Sequence, residues 1–389
     1  MSHVQERPKL AVLDANFYWS EQLFSACFSS FDVLLIKPID FRAFKKRHGH
    51  YKTDLKPRPI AKNIWEQRIC CPPGWLFHYW SLTQLLLKQA IQRFSQNSPL
   101  VFAFCYPHYA SLAKAIGDYS IYYAFDDYQD YWPKHKHLIA TAEQQAVALA
   151  DLTLCTADFR RQYLSATYPA YANRMVHIPH GCSQQFMAED VLDLPRNLPA
   201  SIDSLERPIA GYVGTLGFRF DFNFLAQVAV ELPHITFVLG GTPPVETDGS
   251  VSWWAGVRRC QTLPNIHFIG RVPHERLGEY LQSFDVQLML YSECGFNTNA
   301  CPTKLWDYMG TSRPIVANAA VPEVLLWTEV LHVAGRPQQY VKAISQALEK
   351  PMWKSAERMA IAKANTWQRQ AARLQEQINP TLRALAPGS

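Results

Sequence analysis

The sequence predicts an α/β protein made of two tandem, Rossmann-like, doubly wound parallel-sheet domains. Three observations lead there. At 389 residues the chain exceeds what one ordinary hydrophobic core supports, so two domains are the natural division. Short apolar runs ending in turn residues alternate with helix-forming stretches, the pattern of parallel strands covered on both faces. The alternation breaks over the polar, proline-bearing stretch 183–208 and then restarts.

In the first half KLAVLDA (9–15) and DVLLIKP (32–38) read as buried strands, and LFHYWSLTQLLLKQAIQRF (76–94) as a long helix. PLVFAFCYP (99–107) and SIYYAFDD (120–127) are strands on either side of the short helix SLAKAIG. The helix TAEQQAVALA leads into DLTLCTA (151–157), and RMVHIPHG (174–181) closes the half. The second half supplies IAGYVGTLG (209–217), HITFVLGG (234–241), NIHFIGRV (265–272), DVQLMLYS (285–292), RPIVANAA (313–320) and VLHVAG (330–335), with helices between them. The expected division is 1–182, a linker 183–207, 208–350, and a helical region 351–389 packing back on the first domain, with Trp353 and Trp367 as anchors.

Hydrophobic content of 48% against 18% charged residues belongs to a folded globular chain. A net charge of +5, with no dense basic stripe or nucleic-acid module, speaks against a nucleic-acid partner. Nine cysteines without a C-x-x-C pair read as buried free thiols in a reducing compartment. The first residues lack an apolar signal core and no apolar run is long enough to span a bilayer, so a cytoplasmic location is expected.

In open parallel sheets ligands bind beyond the carboxyl ends of the strands, so the residues just after each strand are the first candidates. NACPTKLWDYM places Pro302 in the first turn of a helix and Lys304 beside it. The free N–H groups and positive dipole end of a helix start suit a diphosphate, Lys304 adds a full charge, and Asp307 on the same face can accept from sugar hydroxyls. An ordinary solvated lysine and a first-turn acid explain the same residues without a ligand. GYVGTLGFRFDF sets Gly211, Gly214 and Gly217 after a strand in a G-x-x-G-x-x-G spacing that differs from dinucleotide loops, with Arg219 able to match a phosphate.

SIYYAFDDYQDYW ends a strand on Asp126 and Asp127, of which one should point outward as a general base. The alternative is an aspartate capping the next helix. Tyr128 and Trp132 offer acceptor-side stacking surfaces or core, and His108, His180 and His274 stand near strand ends or helix starts. Segment 41–65 carries eight Lys or Arg and one Asp among aromatics. It reads as a surface loop that meets an anionic membrane surface or a lipid-diphosphate acceptor, or else as a plain solvated loop.

Taken in order, GYVGTLGFRFDF, LPNIHFIGRVPHERLGEYLQSFDVQLMLY and NACPTKLWDYMGTSRPIVAN resemble the donor-binding half of GT-B-fold glycosyltransferases of the bacterial polysaccharide and cell-surface glycan group. The first half is similar more loosely, through YYAFDDYQDYW and VHIPHG. The resemblance implies two domains facing a cleft and transfer of a sugar from a nucleotide-sugar, UDP- or GDP-linked, to a glycan or lipid-linked acceptor. No cofactor or metal is implied, and the protein would sit in the cytoplasm, peripherally at the inner face of the membrane. It implies that Gly214, Thr215 and Gly217 lie near the donor phosphates, with Arg219 and Tyr291 in the same binding set. Arg271 and Val272 would flank the base, Thr303 and Lys304 hold the diphosphate, and Asp307 bind the ribose. Many retaining members carry two acids here; the second position falls on Asp307, but the first falls on Asn299. That departure favours inversion, with Asp126 or Asp127 as base. A nucleotide-sugar epimerase of the same fold and a non-catalytic binding partner are the alternative readings.

Overall fold

The computed structural model describes residues 7–42, 53–75, 80–96, 98–187, 198–244 and 249–385. The chain divides into two compact units. One comprises the residues up to His180 together with the segment from Trp367 onward, the other Gly181–Thr366.

The first unit is built on β1 Lys9–Leu13, β2 Asp32–Asp40, β3 Arg58–Ala61, β4 Ile64–Cys71, β5 Leu100–Phe104, β6 Tyr119–Ala124, β7 Leu152–Cys155 and β8 Met175–His177. They form one sheet in the order β3-β4-β2-β1-β5-β6-β7-β8, parallel except for the β3–β4 pair. Side chains alternate across a strand, and here both faces are apolar. Leu10, Val12, Val33 and Leu35 enter one core, while Ala11, Leu13, Leu34 and Ile36 enter the other. The strand order reverses between β1 and β5, which makes that edge the switch point where such sheets take ligands.

Strands β3 and β4 fall partly within the segment read as a basic surface loop. The sequence IWEQRICC hid β4 because its charges satisfy one another inside the fold: Lys37 pairs with Glu66 at 2.9 Å and Arg68 with Asp54 at 3.3 Å. Residues 43–52, the densest part of the basic run, lie outside the described residues.

The helix Trp367–Leu385 belongs to this unit. Trp367, Ala371, Leu374 and Ile378 recur at helical spacing and enter the core that holds Phe24 and Cys27. Trp353, expected as a second anchor, lies in the other unit, as does the helix Ser355–Ala364. Cys182, expected at the end of the first domain, and Ser183–Phe186, expected within the linker, belong to that unit too: the Cys182 N–H donates to the Asn365 carbonyl at 2.8 Å.

The second unit carries β9 Ile209–Val213, β10 Thr236–Gly240, β11 Ile266–Gly270, β12 Val286–Met289, β13 Ile315–Asn318 and β14 His332–Ala334. Their order is β11-β10-β9-β12-β13-β14, parallel at every pairing. All nine cysteines are free thiols; Cys70 and Cys294 are half-buried and the rest buried. Among the described residues no helix is long and apolar enough to cross a membrane.

Candidate functional site

At the carboxyl edge of the second sheet, three neighbouring strands meet glycine: β10 and β11 end on Gly240 and Gly270, and Gly214 follows β9 directly. The Gly214 N–H after β9 donates to the Gly240 carbonyl at 2.7 Å, and the Gly241 N–H after β10 donates to the Gly270 carbonyl at 2.8 Å. A Cβ on Gly241 would overlap the Gly214 carbonyl oxygen, and one on Gly214 would overlap the Lys304 Cε and Nζ. Glycine is therefore what lets these backbones and the lysine close on one another.

Lys304 is the second residue of the helix Thr303–Gly310. Pro302 stands one position earlier than the sequence suggested, as the cap, with φ −67 and ψ 117. Its missing N–H costs nothing there; the Leu305 N–H turns back to the Pro302 carbonyl at 3.1 Å, which leaves the Thr303 and Lys304 amides as the first-turn groups without an intrahelical acceptor. The Lys304 ammonium sits 4.9 Å from the centroid of the Tyr212 ring. Tyr212 is buried and fixed, its O–H donating to the Thr215 carbonyl at 3.2 Å. Ring quadrupole and close glycine backbone thus hold a full positive charge at a helix start. Among the described residues Lys304 forms no ion pair with a carboxylate.

Asp307 lies one turn further and is buried. Burial pushes its carboxyl from the usual 3.8 up to about 8, against the opposing pull of a hydrogen bond from the Ser183 N–H at 3.3 Å and of the Lys304 charge. Tyr291 is buried too, its phenol raised by burial and lowered in turn by Lys304, which puts it in the same electrostatic neighbourhood.

Two asparagines that the motifs of the sequence do not single out shape the loop after β12. Asn318 accepts from the Tyr291 N–H at 3.0 Å and donates to the Tyr291 carbonyl at 2.7 Å. Asn297, fully buried, accepts from the Arg219 Nε at 2.9 Å and donates to the Ser292 carbonyl at 2.7 Å. Arg219 also lies over the Phe296 ring at 5.7 Å. Asn299 caps the end of the helix Gly295–Thr298. Arg271 is exposed past the end of β11, and the neighbouring Val272 side chain lies within 2.9 Å of where a Cβ on Gly240 would stand. Thr215 is exposed, while Gly217 and Thr303 are half-buried. The structure thus brings Gly214, Tyr212, Tyr291, Lys304 and Arg219 together, with Asp307 inside the helix face behind them.

In the first unit both aspartates after β6 are buried. Asp127 caps the helix Tyr128–Tyr131: its Oδ1 accepts from the Gln129 N–H at 3.0 Å and its Oδ2 from the Arg160 Nη1 at 3.1 Å. Arg160 is fully buried and also pairs with Glu143, which accepts from the Tyr122 O–H at 3.1 Å. Asp126 accepts from the Tyr131 O–H at 2.7 Å and from the Asp127 N–H at 3.0 Å. Tyr128 is a core residue, and the half-exposed Trp132 stacks on it at 6.2 Å. Burial lowers His108 to about 4. His180, also buried, is packed between Trp19 at 5.7 Å and Trp367 at 5.8 Å, while His274 is exposed.

Asp14 is absent from the sequence-derived candidates. It directly follows β1 at the switch point with φ 64, a region aspartate adopts rarely, and its buried carboxyl is held well above the usual carboxylate range by burial, with a hydrogen bond to Tyr109 opposing. The available signal was an apolar strand ending on an acid, LAVLDA, as YYAFDD does.

No family model matches the chain. A Bacillus subtilis (strain 168) protein, TuaH, described as a teichuronic acid biosynthesis glycosyltransferase, is 22% identical over 181 residues. That match takes in 46% of this chain and 43% of the relative, so the chain spans less than half the length of the curated relative it matches. Among solved structures, sucrose-phosphate synthase from Thermosynechococcus elongatus superimposes with a TM-score of 0.72 at 14% identity, covering 97% of this chain and all (100%) of that one. The E. coli trehalose-6-phosphate protein bound to UDP-2-fluoro glucose gives 0.69 at 12% identity over 95% and 98% of the two chains. Anabaena HepE in complex with UDP gives 0.67 at 13% over 97% and 100%. The chain has the GT-B glycosyltransferase fold.

Proposed function

We propose that this protein is a nucleotide-sugar-dependent glycosyltransferase acting on a glycan or lipid-linked acceptor. One observation carries the reading: the Lys304 ammonium, seated against Gly214 and over Tyr212, stands at a helix start beyond the carboxyl ends of parallel strands. A nucleoside diphosphate is the ligand that such a charge and such amides fit. The likeness to a chain described as a glycosyltransferase and to folds holding UDP or a UDP-sugar supports it.

In this reading the acceptor hydroxyl attacks the anomeric carbon of the donor sugar, and the nucleoside diphosphate leaves. Its growing charge is stabilised by Lys304, the amides of the first helical turn and Arg219. Asp307, near Lys304 and protonated in the free protein below about pH 8, donates to or accepts from a ribose hydroxyl. Transfer proceeds with inversion, since Asn299 cannot serve as the acid of a retaining pair, and a first-unit aspartate takes the acceptor proton. Asp126 suits that role better than Asp127. Asp127 caps a helix and is ion-paired to the fully buried Arg160, which ties it to the fold, whereas Asp126 accepts from the Tyr131 phenol and the Asp127 amide. The membrane-surface reading of 41–65 falls in part on residues outside the described set and is carried only by the sequence.

The test is a panel of UDP- and GDP-sugars incubated with bacterial glycan and polyprenyl-linked acceptors, with product anomers read by NMR. The reading expects acceptor-dependent release of nucleoside diphosphate, lost in Lys304→Ala. Donor turnover without acceptor, giving an isomerised sugar-nucleotide, would move the protein to the epimerases.

A further inference from the structure

A cavity of ≈ 340 Å³ lies in the second unit, lined by His332, Gln346, Glu349, Lys350 and Trp353. The strand directions separate it from the lysine described above. Lys304 comes after the carboxyl end of a strand, whereas His332 is the first residue of β14 and pairs with Val316 near the start of β13. In a parallel sheet these are opposite edges. The cavity is therefore a second site, outside the donor reading.

Its walls are fixed by the fold. Trp353 packs on His332 with ring centroids 4.5 Å apart and planes at 41°. The turn that carries Trp353 is tied down by Arg358, a fully buried guanidinium. Arg358 donates to the Trp353 carbonyl at 2.7 Å, to the Val330 carbonyl at 3.1 Å and to the Ser312 carbonyl at 2.8 Å. One residue later the backbone turns through Lys354 at φ 56. The helix Pro337–Glu349 presents Gln346 and Glu349 three residues apart, on one face, and both are exposed. The His332 Nε2 is a buried ring nitrogen without a hydrogen-bond partner among the described residues.

These features select a ligand. One aromatic wall offers a flat apolar surface to the C–H face of a ring, and the rim offers an amide, a carboxylate and an ammonium to hydroxyl groups. Charges of both signs disfavour a simple anion or cation. The two rings pack against each other and leave no slot between them, so a base cannot be sandwiched. The volume lies at the low end of the range for small-molecule sites. We infer that this cavity is a carbohydrate-binding subsite, taking a neutral pyranose unit of a glycan at the edge of the sheet opposite the donor site. The inference goes beyond the transferase reading and stands on different residues, so either can fail alone.

Full-length protein labelled with 15N at its tryptophan indoles is titrated with gluco- and galacto-configured trisaccharides and, separately, with uridine and guanosine. Saturable shifts of the Trp353 indole with a trisaccharide are expected, weakened at least tenfold in Trp353→Ala by calorimetry and in the exposed-residue pair Gln346→Ala, Glu349→Ala by either readout. Lys304→Ala should leave that binding unchanged. The pair on the helix surface guards against misfolding of the tryptophan variant. No Trp353 shift with any trisaccharide, shifts with nucleosides alone, or binding abolished by Lys304→Ala but not by the cavity variants would each overturn the assignment.

Discussion

Asp307→Asn turns the burial of one carboxyl into a measurable pH dependence. In the folded chain Asp307 keeps its proton up to about pH 8, while an unfolded aspartate loses it near 3.8. Between those values the unfolded state binds fewer protons than the folded state, so stability falls as pH rises through the window and is flat outside it. The slope is about 1.4 kcal/mol per pH unit for one fully differing site. Asparagine is neutral throughout and keeps an oxygen for the Ser183 N–H, so the variant lacks this slope. From pH 5 to pH 7 the variant should gain roughly 3 kcal/mol on the parent chain. Urea unfolding at pH 5, 6 and 7, with matched m-values, reads the difference directly. A difference that stays constant with pH would show that Asp307 titrates alike in both states, and the case for a neutral acid near Lys304 would fall.

Three other perturbations separate binding from folding. Lys304→Ala should weaken nucleoside diphosphate binding by roughly 1.5–3 kcal/mol, the range for a hydrogen bond to a charged group, with little change in melting temperature. Gly214→Ala should weaken it too, because the new methyl displaces the lysine chain; isothermal titration with UDP and GDP checks both. Arg160→Met strands Asp127 and Glu143 and should cost roughly 3–5 kcal/mol of stability, and a cost below about 1 kcal/mol would contradict a buried network. Asp126→Asn should slow transfer about 10²–10⁴-fold at unchanged donor affinity, whereas Asp127→Asn should show mainly as lost stability. Equal transfer rates in the parent and Asp126→Asn would remove the base assignment.

The fold was legible because its strands are apolar on both faces, so runs such as LAVL and FVLG stand out without any partner being known. Strand β4 was not, since Glu66, Arg68 and Lys37 find their partners only once the sheet has formed. Lys304 and Gly214 were both legible singly, one as a charge in an apolar stretch and the other as a glycine after a strand. Their contact was not, nor was Tyr212, which the sequence shows only as one more strand aromatic. The roles of Asn297 and Asn318 depend on loops meeting far apart in sequence, 78 residues from Arg219 in the first case. Asp127 illustrates the limit in the other direction. Spacing allowed both a cap and a base, and the structure adds a guanidinium that only the Arg160 helix could bring.

The central claim is that the edge holding Lys304 and Gly214 binds a nucleotide-sugar. Thermal unfolding of the parent chain and of Lys304→Ala, each across a concentration series of UDP- and GDP-sugars, tests it most directly. The account predicts that one donor raises the parent's stability by mass action, about 2.7 kcal/mol at a hundredfold excess over its dissociation constant, and that Lys304→Ala loses that gain. Stabilisation of parent and variant alike, or of neither by any nucleotide-sugar, would contradict it.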